Sequence, residues 1–162
     1  MLLHYRLTGS TGPMSNTGPT GNTGINVTTN SMFANNTVDG TVSVVLGGTN
    51  ILLSNNQSLD SFAVNSANDL FTVPVTGRYY LSYQINTTTA LLAGSRLILN
   101  GSTSLLGSIL YPALSTLSYN NNLITILNAD NTISLQLFGL LSIVNLVVGG
   151  STGASLTIIR VD

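Results

Sequence analysis

Glycine recurs at every third position near the start of this chain. Between residues 9 and 26 it opens five of six consecutive triplets, and only Ser15 interrupts the register. Where three polyproline-like strands wind around one axis, only glycine fits at the crowded centre. The period therefore predicts a collagen-like segment in which three chains start side by side. A flexible linker rich in Gly, Thr and Asn is the alternative, although glycine placed at random rarely holds a phase of three.

The length of the chain suits one folded domain preceded by a tail. It has 162 residues, which is close to the size of a single domain. Residues 1–8 are too short for a signal peptide and lack a cleavage pattern, so we expect a disordered leader. The period of three stops after Asn26. We therefore assign residues 9–26 to the collagen-like repeat and residues 27–162 to a globular head.

Charge is almost absent from the sequence. It carries 4 Arg and 5 Asp, a net charge of −1, and no Lys, Glu, Cys or Trp. No basic cluster is present to neutralise phosphates, which argues against nucleic-acid binding. The lack of cysteine excludes disulfides and thiolate chemistry. A chain that is 43% hydrophobic and 6% charged is more apolar than a small monomer needs. We therefore expect apolar surface to be buried between subunits.

The head is a series of short apolar runs separated by clusters of Gly, Asn and Asp. This spacing predicts an all-β, antiparallel sandwich or barrel, and no window shows a capped helical stripe. The pair Asn100-Gly101 follows an apolar run and predicts a type I′ hairpin turn. The predicted strands are residues 32–38, 42–46, 51–54, 61–64, 71–74, 79–87, 97–100, 105–110, 116–118, 123–127, 132–140, 143–148 and 154–161.

The run 78–86 is the longest aromatic strand candidate, and alternation gives it one apolar and one wetter face. Its tyrosines allow two interpretations. They could form an aromatic platform for a glycan or a protein partner, or they could pack in the core and at a subunit contact with their hydroxyls hydrogen-bonded. We favour packing. The residues predicted to pack in the core or the trimer are Tyr79, Leu81, Tyr83 and Ile85.

Residues 133–148 are uncharged and could be mistaken for a membrane span. The run is short for a span of roughly 20 residues and is interrupted by polar residues. Ile133, Leu135 and Leu137 alternate with Ser134 and Gln136, which is the period of a strand. We therefore predict packed β-structure, with the three apolar side chains in the core or the trimer contact, and no membrane anchor.

The residues that catalysis requires are missing from the head. His4 is the single histidine and lies in the leader, so no Ser-His-Asp arrangement can be built in the head. The five Asp are scattered beside turn residues, which is typical of Asx turns. We predict that the chain is not an enzyme and needs no cofactor. A Ca²⁺ site made from a loop Asp and backbone carbonyls stays open as an alternative.

Several motifs, in order, resemble a known family. The run 71–83, with its element Gly77-Arg78-Tyr79, resembles the hallmark strand of complement- and tumour-necrosis-factor-like jelly rolls. Residues 30–162 as a whole resemble the C-terminal domain of the Bacillus exosporium collagen-like glycoproteins. The other matching pieces are the 97–101 hairpin, the charge-poor Asn/Ser/Thr-rich texture, the closing run 153–161 and the Gly-Pro-Thr triplet in front.

This resemblance implies a jelly-roll sandwich of about ten strands that assembles as a tight homotrimer on the spore surface, in the exosporium or on a spore appendage. It implies a structural filament protein whose head caps and registers a collagen-like stalk. An adhesive head that binds a host receptor or a glycan is the alternative. The family is O-glycosylated on collagen-region threonines. The corresponding residues here are Thr11, Thr17, Thr20 and Thr23.

Overall fold

The head is built of antiparallel strands, as the spacing of its apolar runs predicts. The computed structural model describes residues 9, 10, 12 and 30–162, and no helix occurs among them. The predicted all-β antiparallel fold is confirmed. The thirteen strands are β1 (Ser31–Asn36), β2 (Thr41–Val44), β3 (Thr49–Asn50), β4 (Asn55–Ser58), β5 (Ala63–Val64), β6 (Phe71–Thr72), β7 (Gly77–Leu91), β8 (Gly94–Leu99), β9 (Thr103–Ser104), β10 (Thr116–Leu127), β11 (Thr132–Phe138), β12 (Ser142–Asn145) and β13 (Ala154–Arg160).

Two large sheets form the sandwich. The first has five strands in the order β10-β7-β13-β1-β4. The second has six strands, in the order β5-β6-β11-β8-β9 with β3 paired to β11, and a small third sheet joins β12 to β2. Neighbouring strands of the first sheet come from distant parts of the chain. For example, β1 pairs with β13. The first and last strands of the head are therefore held side by side.

The inner faces of both large sheets pack into one hydrophobic core. On β7, every second side chain from Tyr79 to Ile85 is at most 2% exposed, as strand alternation requires. On β11, Ile133, Leu135 and Leu137 are fully buried. Burying one such side chain contributes about 1.5–3 kcal/mol, so this cluster is the main source of stability of a single subunit.

Strand β10 is longer than the sequence predicts. The sequence predicts two separate strands at residues 116–118 and 123–127, but the structure joins them through Tyr119 and three consecutive asparagines. Asn120 pairs with Gln84 and Asn122 with Ser82 of β7. Asparagine has a low intrinsic preference for strands, and the continuous ladder with β7 overrides that preference here.

Two other predicted strands are wrong. Residues 105–110 turn back instead of extending, since Gly107 has a φ of +89° and the Ser108 N–H donates to the Leu105 carbonyl at 3.1 Å. Residues 51–54 form no ladder. The Ile51 N–H donates to Leu135 O and the Leu53 N–H to Asn68 O, both at 2.8 Å. The segment therefore divides its hydrogen bonds between two different partners.

The predicted hairpin turn is present, with a longer loop than expected. Asn100 has a φ of +51° and Gly101 a φ of +74°, which are the positive values that a type I′ turn requires at both central positions. The Asn100 side-chain oxygen also accepts a hydrogen bond from the Thr132 N–H at 2.9 Å. Leu99 pairs with Thr103, so the loop contains three residues rather than two.

The apolar run 133–148 is β-structure, as its alternation predicts. Its first part belongs to β11 in the second large sheet, and its later part contains β12, which pairs with β2. The described part of the chain has no helix with the length and hydropathy of a membrane span.

A buried hydrogen-bond network ties β7 to β8 and to the loop that follows β9. The Tyr83 hydroxyl donates to the Ser108 carbonyl at 2.7 Å and lies 2.9 Å from the Ser95 Oγ. Burial raises the pKa of Tyr83, and the Ser95 hydrogen bond partly opposes that rise. The phenol therefore stays neutral and can keep donating.

Tyr83→Phe should lower the free energy of unfolding by about 1–3 kcal/mol, because it leaves the buried Ser108 carbonyl without its donor. Chemical denaturation followed by circular dichroism would measure the change. Tyr111→Phe is the matched control, since Tyr111 is 65% exposed and should change stability by less than about 0.5 kcal/mol. Equal effects of the two substitutions would contradict the role given to the network.

Candidate self-association surface

The outer face of the five-stranded sheet is apolar at one end and polar at the other. Strand alternation that turns Tyr79 and Leu81 into the core turns Tyr80 and Ser82 outward. On the neighbouring strands β13 and β10, the residues in register with these two continue the same face.

Four apolar side chains lie together at one end of this face and are called the apolar row below. Ile159 is paired with Tyr80, and Tyr80 is paired with Ile124. Ile126 follows two residues later on β10. Ile124 is 52% exposed and Ile126 is 72% exposed, so much apolar area on an edge strand faces solvent. Contiguous exposed patches of this kind mark interaction sites.

The rest of the face is polar and is called the polar half below. The next cross-strand set joins Thr157, Ser82 and Asn122, and the one beyond it joins Ser155, Gln84 and Asn120. None of these side chains carries a charge. Their amides and hydroxyls can stay hydrogen-bonded to water, so this half has no apolar area that a second copy must cover.

The apolar row lies at the end of the sheet where the first described strand, β1, begins. Ile159 is opposite Ser31, the first residue of β1. Asn26, the last residue of the triplets, precedes Ser31 by five residues, which can span at most about 18 Å. The chain therefore enters the sheet at the end that carries the apolar row.

Strand β10 is also an edge strand. It pairs with β7 on one side, and no other described strand pairs with it on the other. A long edge strand presents unpaired N–H and C=O groups and is prone to association with another chain. Apolar side chains and free backbone groups thus coincide on the same strand.

The Arg160–Asp162 ion pair near the apolar row is closed within the subunit, whereas Arg78, which is paired with Ile126, is exposed and has no ion pair among the described residues. The Arg160 Nε donates to Asp162 Oδ1 at 3.0 Å. A hydrogen bond from the Arg78 backbone lowers the pKa of Asp162, and Arg160 adds to that effect. The stabilisation that these contacts of the Asp162 carboxylate give the fold is present above the ordinary pKa of a carboxyl group. It is lost as the pH falls through the lowered pKa of Asp162. The carboxylate therefore stays charged and paired at mildly acidic pH.

The residues that the sequence singled out for packing lie inside the single subunit. Each of them is at most 2% exposed, so none offers surface to a second copy. The Tyr79 hydroxyl donates to the Val75 carbonyl at 2.7 Å, and burial raises its pKa. A subunit contact must therefore use other residues. The buried residues are Tyr79, Leu81, Tyr83, Ile85, Ile133, Leu135 and Leu137.

Sequence reasoning missed the apolar row. The signal was present in Ile124-Thr125-Ile126, which alternates apolar and polar residues but follows Leu123, so that both faces of β10 are apolar at this point. Only the pairing of β10 with β7 shows which isoleucines face outward. The candidate glycosylation sites Thr11, Thr17, Thr20 and Thr23, the leader 1–8, and most of the repeat 9–26 lie outside the described residues.

The described residues contain no group of three or more potential ligands that could hold a metal ion. Asp69, one candidate for a loop Ca²⁺ site, uses both carboxylate oxygens within the protein. Oδ1 accepts from the Asn65 amide at 2.7 Å and Oδ2 from the Asn50 amide at 3.0 Å. Its carboxylate links two loop segments.

The strand order and the single core between two antiparallel sheets define a jelly-roll protein. The solved structures it is similar to share that architecture. Murine APRIL is 14% identical, with a TM-score of 0.59, over 81% of this chain and 98% of the other. An Eiger TNF from S. frugiperda is 14% identical, with a TM-score of 0.58, over 82% of this chain and 91% of the other. At these identities the likeness establishes the fold alone.

The family follows from the sequence match. Residues 32–162 match the model of the BclA C-terminal domain, and the chain belongs to that family. The predicted resemblance is thereby confirmed. The family is one of exosporium collagen-like proteins of the spore surface, and its domains are structural or ligand domains. Comparison with the curated proteins found no match.

Proposed function

We propose that this chain is a structural protein of the spore surface, in which three heads associate and so cap and register a collagen-like stalk. The observation that carries the proposal is the apolar row, which lies at the end of the sheet where β1 begins. Two isoleucines that are half or more exposed are costly in a monomer. Their exposure in the single subunit is explained if a second copy covers them.

The glycine period of three in residues 9–26 supports an assembly of three copies. A collagen-like helix needs three chains, and three heads related by rotation would each present the same surface to the next one. Because the buried core lies entirely within one subunit, association adds stability to a head that is already folded. The triplets in residues 9–26 contain few prolines to pre-set the backbone, so they need help to align. Contacts between the heads would supply it by holding the three chains in register.

The full chain should have the mass of a trimer in light scattering at micromolar concentration. Circular dichroism should show the signature of a triple helix in the full chain and no cooperative melt in a peptide of residues 9–26. A monomeric mass for the full chain would contradict the proposed association. A free peptide that melts cooperatively above room temperature would show that the head is not needed for registration.

A further inference from the structure

A surface cavity lies on the head, formed by residues around the end of β1, β2 and β3. Its volume is about 250 Å³, which is room for about eight water molecules at ~30 Å³ each. None of the residues that line it belongs to the apolar row or to the polar half. Its polar lining residues are Asn36, Asp39, Thr41, Ser43, Thr49 and Asn50.

Part of the hydrogen-bonding capacity of this lining is already used to hold its shape. Asn36 Oδ1 accepts from the backbone N–H groups of Val38 and Asp39, at 3.3 and 2.9 Å. The Asn36 amide donates to the Leu52 carbonyl at 3.0 Å. The Asn50 side chain is held in place by a hydrogen bond, because its Oδ1 accepts from the Gln136 amide at 2.8 Å. The cavity wall is therefore pre-organised.

Other groups of the lining are free to bind. Asp39 Oδ2 accepts from the Ser54 hydroxyl at 3.1 Å, whereas its Oδ1 has no partner among the described residues. The Ser43 hydroxyl likewise has none, and its side chain is exposed. Thr41 Oγ1 donates to Asn145 at 3.3 Å and can still accept. The lining thus offers a carboxylate acceptor and two hydroxyls.

The chemistry of these groups limits what can fill the cavity. Among the described residues that line it, Asp39 carries the only charge, so an anionic ligand would be repelled without a compensating cation. A divalent cation would prefer several carboxylates. An apolar ligand would leave the polar groups buried and unpaired. A neutral ligand rich in hydroxyls satisfies all of them, because each hydroxyl both donates and accepts.

Val42 and Leu52 complete the lining. Leu52 is 42% exposed and supplies an apolar contact, whereas Val42 belongs to the core. A pyranose ring has this same combination, with hydroxyls around its rim and a patch of C–H groups on its face. We propose that the cavity binds one neutral pyranose unit at the end of a glycan, with Asp39 accepting hydrogen bonds from its hydroxyls. This site is separate from the proposed association surface and does not depend on it.

The test uses the full chain and the methyl glycosides of mannose, galactose and glucose, followed by saturation-transfer NMR and titration. At least one glycoside should bind with a dissociation constant on the order of 1 mM. Asp39→Asn should weaken that binding about tenfold or more, because a hydrogen bond to a charged acceptor is lost. Asp130→Asn is the matched control and should bind as wild type does.

Asparagine at position 39 keeps the side-chain oxygen that accepts from Ser54, so the fold should be unchanged, and thermal melting would check this. Ser43→Ala should weaken binding by a smaller factor, about fivefold, through loss of a neutral hydrogen bond. Absence of binding for all three glycosides would overturn the proposal. So would binding that requires added calcium chloride or that is unchanged in Asp39→Asn. Light scattering on the same samples reports the trimer separately.

Discussion

Leu137→Arg should abolish cooperative folding of the head. Leu137 is fully buried on the inner face of β11, where it pairs with Thr49 on one side and Ser95 on the other. A guanidinium at this position would lose its water without gaining a carboxylate partner, which costs many kcal/mol. A domain of this size is stable by only about 5–15 kcal/mol. The variant should therefore be largely unfolded at 25 °C.

Leu141→Arg is the matched control, since the same substitution four residues later falls on a side chain that is 74% exposed. It should melt within a few degrees of the wild type. Circular dichroism and thermal melting of the two purified variants would compare them directly. A cooperative wild-type-like melt for Leu137→Arg would show that β11 is not packed as described.

Ile124→Asp should dissociate the proposed trimer and leave the head folded. Ile124 lies in the centre of the apolar row beside Tyr80 and is 52% exposed in the single subunit. Full burial of an isoleucine contributes about 1.5–3 kcal/mol, of which roughly half is left to gain at a side chain that is 52% exposed, and a three-fold assembly counts each substitution three times. The trimer dissociation constant should rise by at least about fiftyfold, and by more because the new carboxylate would lose its water in the contact. Light scattering at micromolar concentration should give the mass of a monomer.

Asn120→Asp introduces the same charge on the same strand and the same face, in the polar half. Asn120 lies opposite Gln84, and its substitution should leave the trimer mass unchanged. Far-ultraviolet circular dichroism should match the wild type for both variants, since neither residue reaches the core. If Ile124→Asp keeps the trimer mass, the subunit contact lies elsewhere on the head.

Much of the fold can be predicted from the periodicity of apolar residues in the sequence. The alternation in 78–86 and in 133–137 predicts which side chains enter the core, because a strand places successive residues on opposite faces. The positive φ values at Asn100 and Gly101 follow from turn chemistry that favours those residue types. These are local effects, and they hold in whatever sheet the strand joins.

The errors arose where neighbours outside the segment decide the conformation. Residues 120–122 look like a loop because asparagine favours turns, yet β7 supplies a ladder that holds them extended. Residues 105–110 look like a strand because they are apolar, yet the chain turns at Gly107. Tyr83 and Leu97 hold this turn, since the Tyr83 hydroxyl donates to the Ser108 carbonyl and the Leu97 N–H donates to the Ser108 Oγ. In both cases a long-range contact outweighed a local preference of less than about 1 kcal/mol per residue.

The amino-acid sequence by itself determined that the head is all-β and that a glycine period of three precedes it, because strand alternation and glycine spacing are properties of neighbouring residues. The tertiary structure alone decided where the candidate surfaces lie. It placed Ile159, Tyr80 and Ile124 in one row by pairing three distant strands. It also formed the Asp39 cavity from separate segments of the chain. Such surfaces depend on register between segments far apart in the chain, and no local pattern encodes that register.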